Sequence, residues 1–290
     1  MRAIAAQRDQ FLTERRGRAT VAVTSLADVV IARHASEIVS GDVPGGPSTS
    51  QTIMVSSLRR LLALLPPASP PSAYRTAVMQ DNILGKQTAG AREWAFRQLR
   101  RFYSFDPSVL LFRALRDLWD HDESGQSLLA VLCALGRDPV LRVSATAILQ
   151  AKVGTLVGPD DFDAAIQGAY PGAYSENTRR TTAQNVASSW AQAGHLHMES
   201  PNRKVRALAC CTATTVAYAL MLGYLQGHRG QALFDTLWAK MLDRSTSHLV
   251  DLAATASQLG MVEFRHAGGV MEVNFGQLLR PFDDELGAAE

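Results

Sequence analysis

The chain reads as a mainly α-helical protein with winged helix-turn-helix-like units and a short C-terminal β-hairpin. Three observations predict this. Apolar residues recur at spacings of three and four through much of the 290-residue sequence. Gly and Pro interrupt these runs where helices of ordinary length would stop. Strict alternation of apolar and polar residues is confined to short stretches near residues 195–198, 261–266 and 270–275.

The length leaves room for two or three domains, divided here as 1–72, 73–206 and 207–290. A hydrophobic content of 47% with 19% charged residues describes a globular protein with an ample core. The net charge of +2 does not point to a partner, because local basic patches rather than totals bind phosphate. Cys133, Cys210 and Cys211 show no CxxC spacing, and adjacent cysteines rarely pair. They read as buried thiols in a reducing cytoplasm. The N-terminal residues 1–18 are basic but lack the apolar centre of a signal peptide.

Taken in order, residues 1–20 form a basic arm or first helix, and 21–39 have helical apolar spacing. Residues 41–50 are a loop. Residues 53–65 form a helix stopped by Pro66-Pro67, and 66–74 a stiff, extended Pro-rich connection. Thr88 caps a helix from Ala89 to Phe102, whose apolar face is Trp94, Ala95, Leu99 and Phe102. Its other side carries Arg92, Arg97, Arg100 and Arg101, with Lys86 just before it. Seven bases against three acids over residues 86–117 make this the most basic segment in the body of the chain. Phe102, Tyr103 and Phe105 sit at core spacing. Helices follow at 108–119 and 127–135. After the Gly136-Arg137-Asp138-Pro139 break another runs from 139 to 153, and Asp160 or Asp161 caps a short one to Tyr170.

The stretch from Ser175 to Met198 has a start, a body and a stop. Ser175 or Asn177 caps the helix, Val186, Trp190 and Ala193 form its apolar face, and Gly194 ends it. Its first turns carry Thr178, Arg179, Arg180, Thr181 and Gln184. Helix N-termini and Arg favour phosphate, while Arg and Gln can read base edges. A short strand, a turn and three bases (Arg203, Lys204 and Arg206) follow, in the order of a recognition helix and its wing. The alternative is an ordinary amphipathic helix with a solvated Arg pair.

Residues 207–227 carry no charge over 21 positions, close to the roughly 20 a membrane span requires. The threonines, glycines and Gln226 within them favour a buried central helix. A helix at 232–242 and one capped by Ser245 or Thr246 and ended by Gly260 precede a hairpin around Gly268-Gly269. That second unit repeats the helix–helix–hairpin order. Its recognition-like helix has no base except His248, so packing or protein contact is expected of it. The tail 281–290 is acidic.

Three pieces carry a resemblance: NILGKQTAGAREWAFRQLRRFY (82–103), LLAVLCALGRDPVLRVSATAIL (128–149) and SENTRRTTAQNVASSWAQAGHL (175–196). Their order and spacing resemble the BrxA family of accessory proteins of bacterial BREX phage-defence systems. The shared features are the Asn–Lys helix start, the Arg-Asp-Pro break, and the Ser-x-x-Thr helix ending in Ala-Gly-x-Leu. The resemblance spans residues 75–280. It implies a mostly helical DNA-binding protein acting beside a methyltransferase and other defence proteins, without catalysis of its own.

No GxGxxG, P-loop, GxSxG or HExxH motif occurs. His195 and His197 would face the same side of a strand. A metal site with Cys210 or Cys211 is conceivable, but the paired-cysteine spacing is missing and a solvent-facing or capping pair is the expectation. Asp160, Asp161 and Asp163 mark a helix start, where carboxylates complement the dipole. The expected function is therefore non-enzymatic binding of double-stranded DNA in the cytoplasm, with no cofactor, metal or small-molecule substrate. Thr178, Arg179, Arg180, Thr181 and Gln184 would meet the groove, and Arg203, Lys204, Arg206, Lys86, Arg92 and Arg97 would hold phosphates. The alternatives are a scaffold that assembles defence or regulatory proteins, and a membrane-associated subunit anchored by 207–227.

Overall fold

The computed structural model describes residues 26–200 and 203–282. The basic arm at 1–20 and most of the acidic tail lie outside the described residues. Mainly helical throughout, the chain buries one continuous cluster of apolar side chains with members from Ile38 to Leu278.

The N-terminal part supplies α1 (Leu26–His34), α2 (Val55–Leu64) and α3 (Pro71–Met79). The Pro-rich connection expected at 66–74 is thus half helix. Pro71 takes the first-turn position that needs no N–H. Tyr74, Ala77 and Val78, spaced by three and one, turn inward. α4 (Ala89–Tyr103), α5 (Leu110–Trp119) and α6 (Gln126–Arg137) form the next layer. The Thr88 hydroxyl caps α4 by accepting from the Ala91 N–H at 3.1 Å. Phe102, Tyr103 and Phe105 are fully buried, and Tyr74 stacks on Phe105 at 4.9 Å.

α7 (Pro139–Gln150), α8 (Pro159–Ala169) and α9 (Glu176–Ala193) come next, then the hairpin β1 (Leu196–Ser200) and β2 (Arg203–Arg206). Residues 154–157 lie along β2 as a third extended segment. Leu156 bridges Val205, and the Arg206 N–H donates to the Thr155 carbonyl at 2.8 Å. The order is helix, extended segment, helix, helix, hairpin.

α10 (Ala213–Leu225) runs through the middle and buries every residue except Tyr224 below the surface. The uncharged stretch 207–227 is therefore not one helix: 207–212 are irregular, and α10 starts where the Thr212 N–H finds the Thr215 hydroxyl at 2.9 Å. Its 13 residues span about 20 Å, short of the roughly 30 Å of a bilayer core. Among the described residues no helix is long and apolar enough to cross a membrane. The helix expected at 232–242 is split as well. A 3-10 stretch, Gly230–Asp235, gives way to α11 (Leu237–Lys240) at Thr236, whose extended backbone breaks the run and whose hydroxyl caps Ala239. α12 (Thr246–Gln258), capped by Ser245, leads into β3 (Glu263–Ala267) and β4 (Val270–Asn274). These strands pair antiparallel through Gly268-Gly269, both at positive φ, as a two-residue hairpin turn demands. Val262, Val273 and Phe275 face inward while Glu263, Arg265, Glu272 and Asn274 face out.

The N-terminal segment adds Ile53, Val55, Leu58, Leu61 and Leu62 to the common core and is further tied by polar contacts to α7 and α9. Met54 precedes α2 without a side-chain cap, and the Gln192 side-chain oxygen of α9 accepts from Val55 N–H instead, at 3.0 Å. Ser189 accepts from Ile53 N–H at 3.1 Å, and Asn185 donates to the Ser48 carbonyl at 3.2 Å. Asp138, fully buried, caps α7 through Leu141 N–H at 3.0 Å and takes the Ser48 N–H at 2.7 Å. Gly46 closes over that carboxylate, where any Cβ would collide with it. Asp138→Ala removes a helix cap and strands a buried N–H at once, so a loss of about 2–4 kcal/mol is expected. Urea denaturation of the variant measures it, with Gly46→Ala expected to fall in the same direction.

Candidate nucleic-acid interface

α9 is held by its inner face, which fixes what it shows outside. Val186, Trp190 and Ala193 are buried, and the Trp190 indole N–H donates to Ser144 of α7 at 2.9 Å. The Ser175 hydroxyl accepts from Thr178 N–H at 3.3 Å, and Gly194 ends the helix at φ 90°, a conformation Gly adopts without strain. With the helix clamped so, Arg180, Thr181 and Gln184 are exposed on its first two turns, while Thr178 and Arg179 are half-buried.

The basic residues named from the sequence divide sharply by partner. Arg180 stands exposed with no carboxylate partner among the described residues. Arg179 turns back onto α8, with its Nε 2.6 Å from Asp163 and its Nη1 3.1 Å from Gln167. Asp163 is thus more than a helix-dipole complement. Asp161 also has a specific task, accepting from Gly158 N–H at 2.8 Å, and the α8 cap is Gly158 rather than Asp160 or Asp161. Asp160, Asp163 and Glu176 line the same small cleft as Arg179 and Arg180, so this end of α9 is of mixed charge.

On the hairpin, Arg203 is exposed but 3.1 Å from Glu199, and Lys204 is half-buried without a carboxylate partner among the described residues. Arg206 is not a phosphate ligand. It is 4% exposed, and its guanidinium donates to the carbonyls of Ile148 at 3.0 Å and His195 at 3.3 Å, to that of Ala207, and to the Asp243 carboxylate. One side chain thereby ties the end of α7, the end of α9 and the corner between α11 and α12.

His195 belongs to this knot and does not share a face with His197. It precedes β1 and is fully buried edge-on against Trp190, whereas His197 is exposed. Its Nε2 meets the Met241 carbonyl at 2.8 Å, which sets that nitrogen as the protonated one. Asp243 Oδ2 lies 3.7 Å away, too far for a hydrogen bond. Burial pushes the imidazole pKa down to about 4, against the pull of Asp243. Cys210 is exposed and Cys211 half-buried, contrary to the expectation of buried thiols, and only Cys133 lies in the core. Among the described residues no group of three metal-binding side chains gathers.

Lys86, Arg92 and Arg97 sit on or before α4, apart from the α9 unit in the chain. Arg92 folds back toward the Lys86 carbonyl, 3.5 Å away, and its Nε is buried without a partner. Lys86 is half-buried, and only Arg97 of the three is fully presented. The sequence reading did not anticipate Asp243 or Asp163 as partners of the named arginines. Neither carboxylate lies within helical reach of its arginine in sequence, so no local signal marks them.

The chain matches no protein family and no curated protein at a significant level.

Two outcomes follow from the buried knot. Arg206→Ala leaves the Asp243 carboxylate buried without its cation, and a loss of about 3–5 kcal/mol in urea denaturation is expected. A surface phosphate ligand would cost almost nothing. For His195, the unfolded chain takes up its proton near the ordinary 6.5 and the folded chain only near 4. Its contribution is therefore complete above pH 6.5 and is lost as pH falls toward 4, by roughly 2 kcal/mol at pH 5. Melting curves from pH 7 to 5 should show that fall, and His195→Gln, which keeps a donor for Met241, should flatten it.

Proposed function

We propose that this chain is a non-enzymatic double-stranded DNA-binding protein, with α9 as the recognition helix of a winged helix-turn-helix unit. The observation that carries the reading is the exposed row Arg180, Thr181 and Gln184 at the start of α9, a helix followed directly by a hairpin bearing Arg203 and Lys204. The order α7, extended segment 154–157, α8, α9, β1–β2 is that of a winged helix, with the extended segment paired to the second wing strand. A clamped helix showing Arg and Gln at its N-terminal turns has the chemistry for the major groove, and a basic hairpin that for the flanking backbone. Arg97 on α4 supplies a further phosphate contact. Thr178 and Arg179 act by shaping the helix start, and Arg206 by fixing the wing. The resemblance of three sequence pieces to the BrxA family suggests the setting: a cytoplasmic accessory role in a BREX-type phage-defence system, beside other defence proteins.

The second reading is a scaffold that assembles such proteins without reading DNA. The unit α10–α12 with β3–β4 favours it, because that unit repeats the element order while exposing Leu259 and Val270 and no base on α12 besides His248. Fluorescence anisotropy with a random-sequence duplex at two salt concentrations separates the readings. Salt-sensitive binding that weakens at least tenfold in Arg180→Ala/Lys204→Ala, about 1.4 kcal/mol, is expected from the first. Absence of binding by folded wild type at low salt rejects it in favour of the scaffold.

A further inference from the structure

The basic charge that carries no counter-charge lies mostly off the winged unit. In that unit Arg179, Arg203 and Arg206 each meet a carboxylate, leaving Arg180, Lys204 and Lys152 to face a ligand. On α4 the reverse holds. Phe96, Leu99, Phe102 and Tyr103 are buried and fix the rotation of the helix. Arg97, Arg100 and Arg101 are therefore all exposed, at spacings of three and four on one face. The acidic residue of this helix, Glu93, is engaged by both outer nitrogens of Arg75 at 3.2 and 3.0 Å. Arg137, at the end of α6, donates to the Arg101 carbonyl at 3.1 Å and brings a fourth guanidinium to the same corner. Among the described residues none of these four has a carboxylate partner. Arg100 and Arg101 gain something from the helix C-terminus, but Arg97 stands outside the last turn. Like charges at three and four apart lower helix stability slightly, which a purely structural role would avoid.

We propose that the Arg97–Arg100–Arg101 face of α4, with Arg137, is a second phosphate-binding surface that grips the backbone of double-stranded DNA independently of sequence. It rests on the DNA-binding reading and extends it, since α9 would supply base contacts and α4 most of the electrostatic hold. Closely spaced, planar guanidinium groups suit phosphate oxygens, and such contacts are felt as salt dependence.

The test compares full-length wild type, Arg97→Ala/Arg100→Ala/Arg101→Ala, and Arg180→Ala/Lys204→Ala on a 30-base-pair random duplex across a salt series. The α4 variant is expected to bind at least tenfold more weakly, to lose about three from the slope of log affinity against log salt, and to melt no lower than wild type. An α4 variant that binds with the wild-type slope overturns the inference, and if the α9 variant is then weakened, the winged-helix reading survives alone. Loss in the α4 variant with none in the α9 variant upholds this surface and removes α9 from the interface. Wild type that binds anionic vesicles through these arginines but not the duplex overturns both.

Discussion

Arg206 is the side chain on which the arrangement of the two halves turns. A guanidinium taken out of water is tolerated only if its donors are filled, and here they are filled by groups from three separate parts of the chain. The Ile148 and His195 carbonyls belong to the ends of α7 and α9, and Asp243 belongs to the C-terminal unit. Any displacement of the hairpin relative to α10–α12 would leave a buried charge unpaired. The knot therefore fixes the hairpin against the C-terminal unit, since the buried charge has no other carboxylate partner among the described residues. His195 beneath it is held neutral by the same desolvation that makes the ion pair obligatory.

α9 plays the complementary part toward the N-terminus. Its outer turns are polar as a ligand surface would require, and its inner side chains Asn185, Ser189 and Gln192 are polar for a different reason. They satisfy backbone groups of residues 48–55 that have no partners of their own. A helix usually spends its inward positions on apolar contacts. This one gives several to capping another segment in trans, and Asp138 does the same from the start of α7.

What was legible in the sequence followed from range. Thr88, Ser175 and Ser245 cap helices a few residues away, Gly194 ends one, and Gly268-Gly269 turns a hairpin; each acts on its own neighbours, so the local pattern suffices. The apolar face of α9 was equally plain, because burial follows the helical period; on α4 Ala95, Leu99 and Phe102 are buried as expected, but Trp94 is only half-buried and Phe96 turns inward beside them. Pro71 misled because proline serves both stiff linkers and first helical turns, although Tyr74, Ala77 and Val78 already carried a helical spacing. Thr236 and the segment 207–212 broke helices that composition alone would extend. At the candidate site the sequence placed Arg180, Thr181 and Gln184 correctly on an exposed helix start. It erred on Arg206, whose partner lies 37 positions downstream, beyond any local pattern.

The same distance problem governs how charge should be counted. A run of arginines measures formal charge, whereas a polyanion responds to charge left over after internal pairing. In the α9 unit Asp163, Glu199 and Asp243 subtract from the total, and all three pairs join separate segments of the chain. In α4 the acid that could have subtracted is occupied by Arg75 from the neighbouring helix α3, so that arginine indirectly frees the rest of its face. Arg75 is therefore as much a part of the electrostatics of α4 as the arginines on it. The α9 unit, where three arginines meet carboxylates, and α4, whose exposed arginines meet none among the described residues, are therefore electrostatically different parts of the molecule.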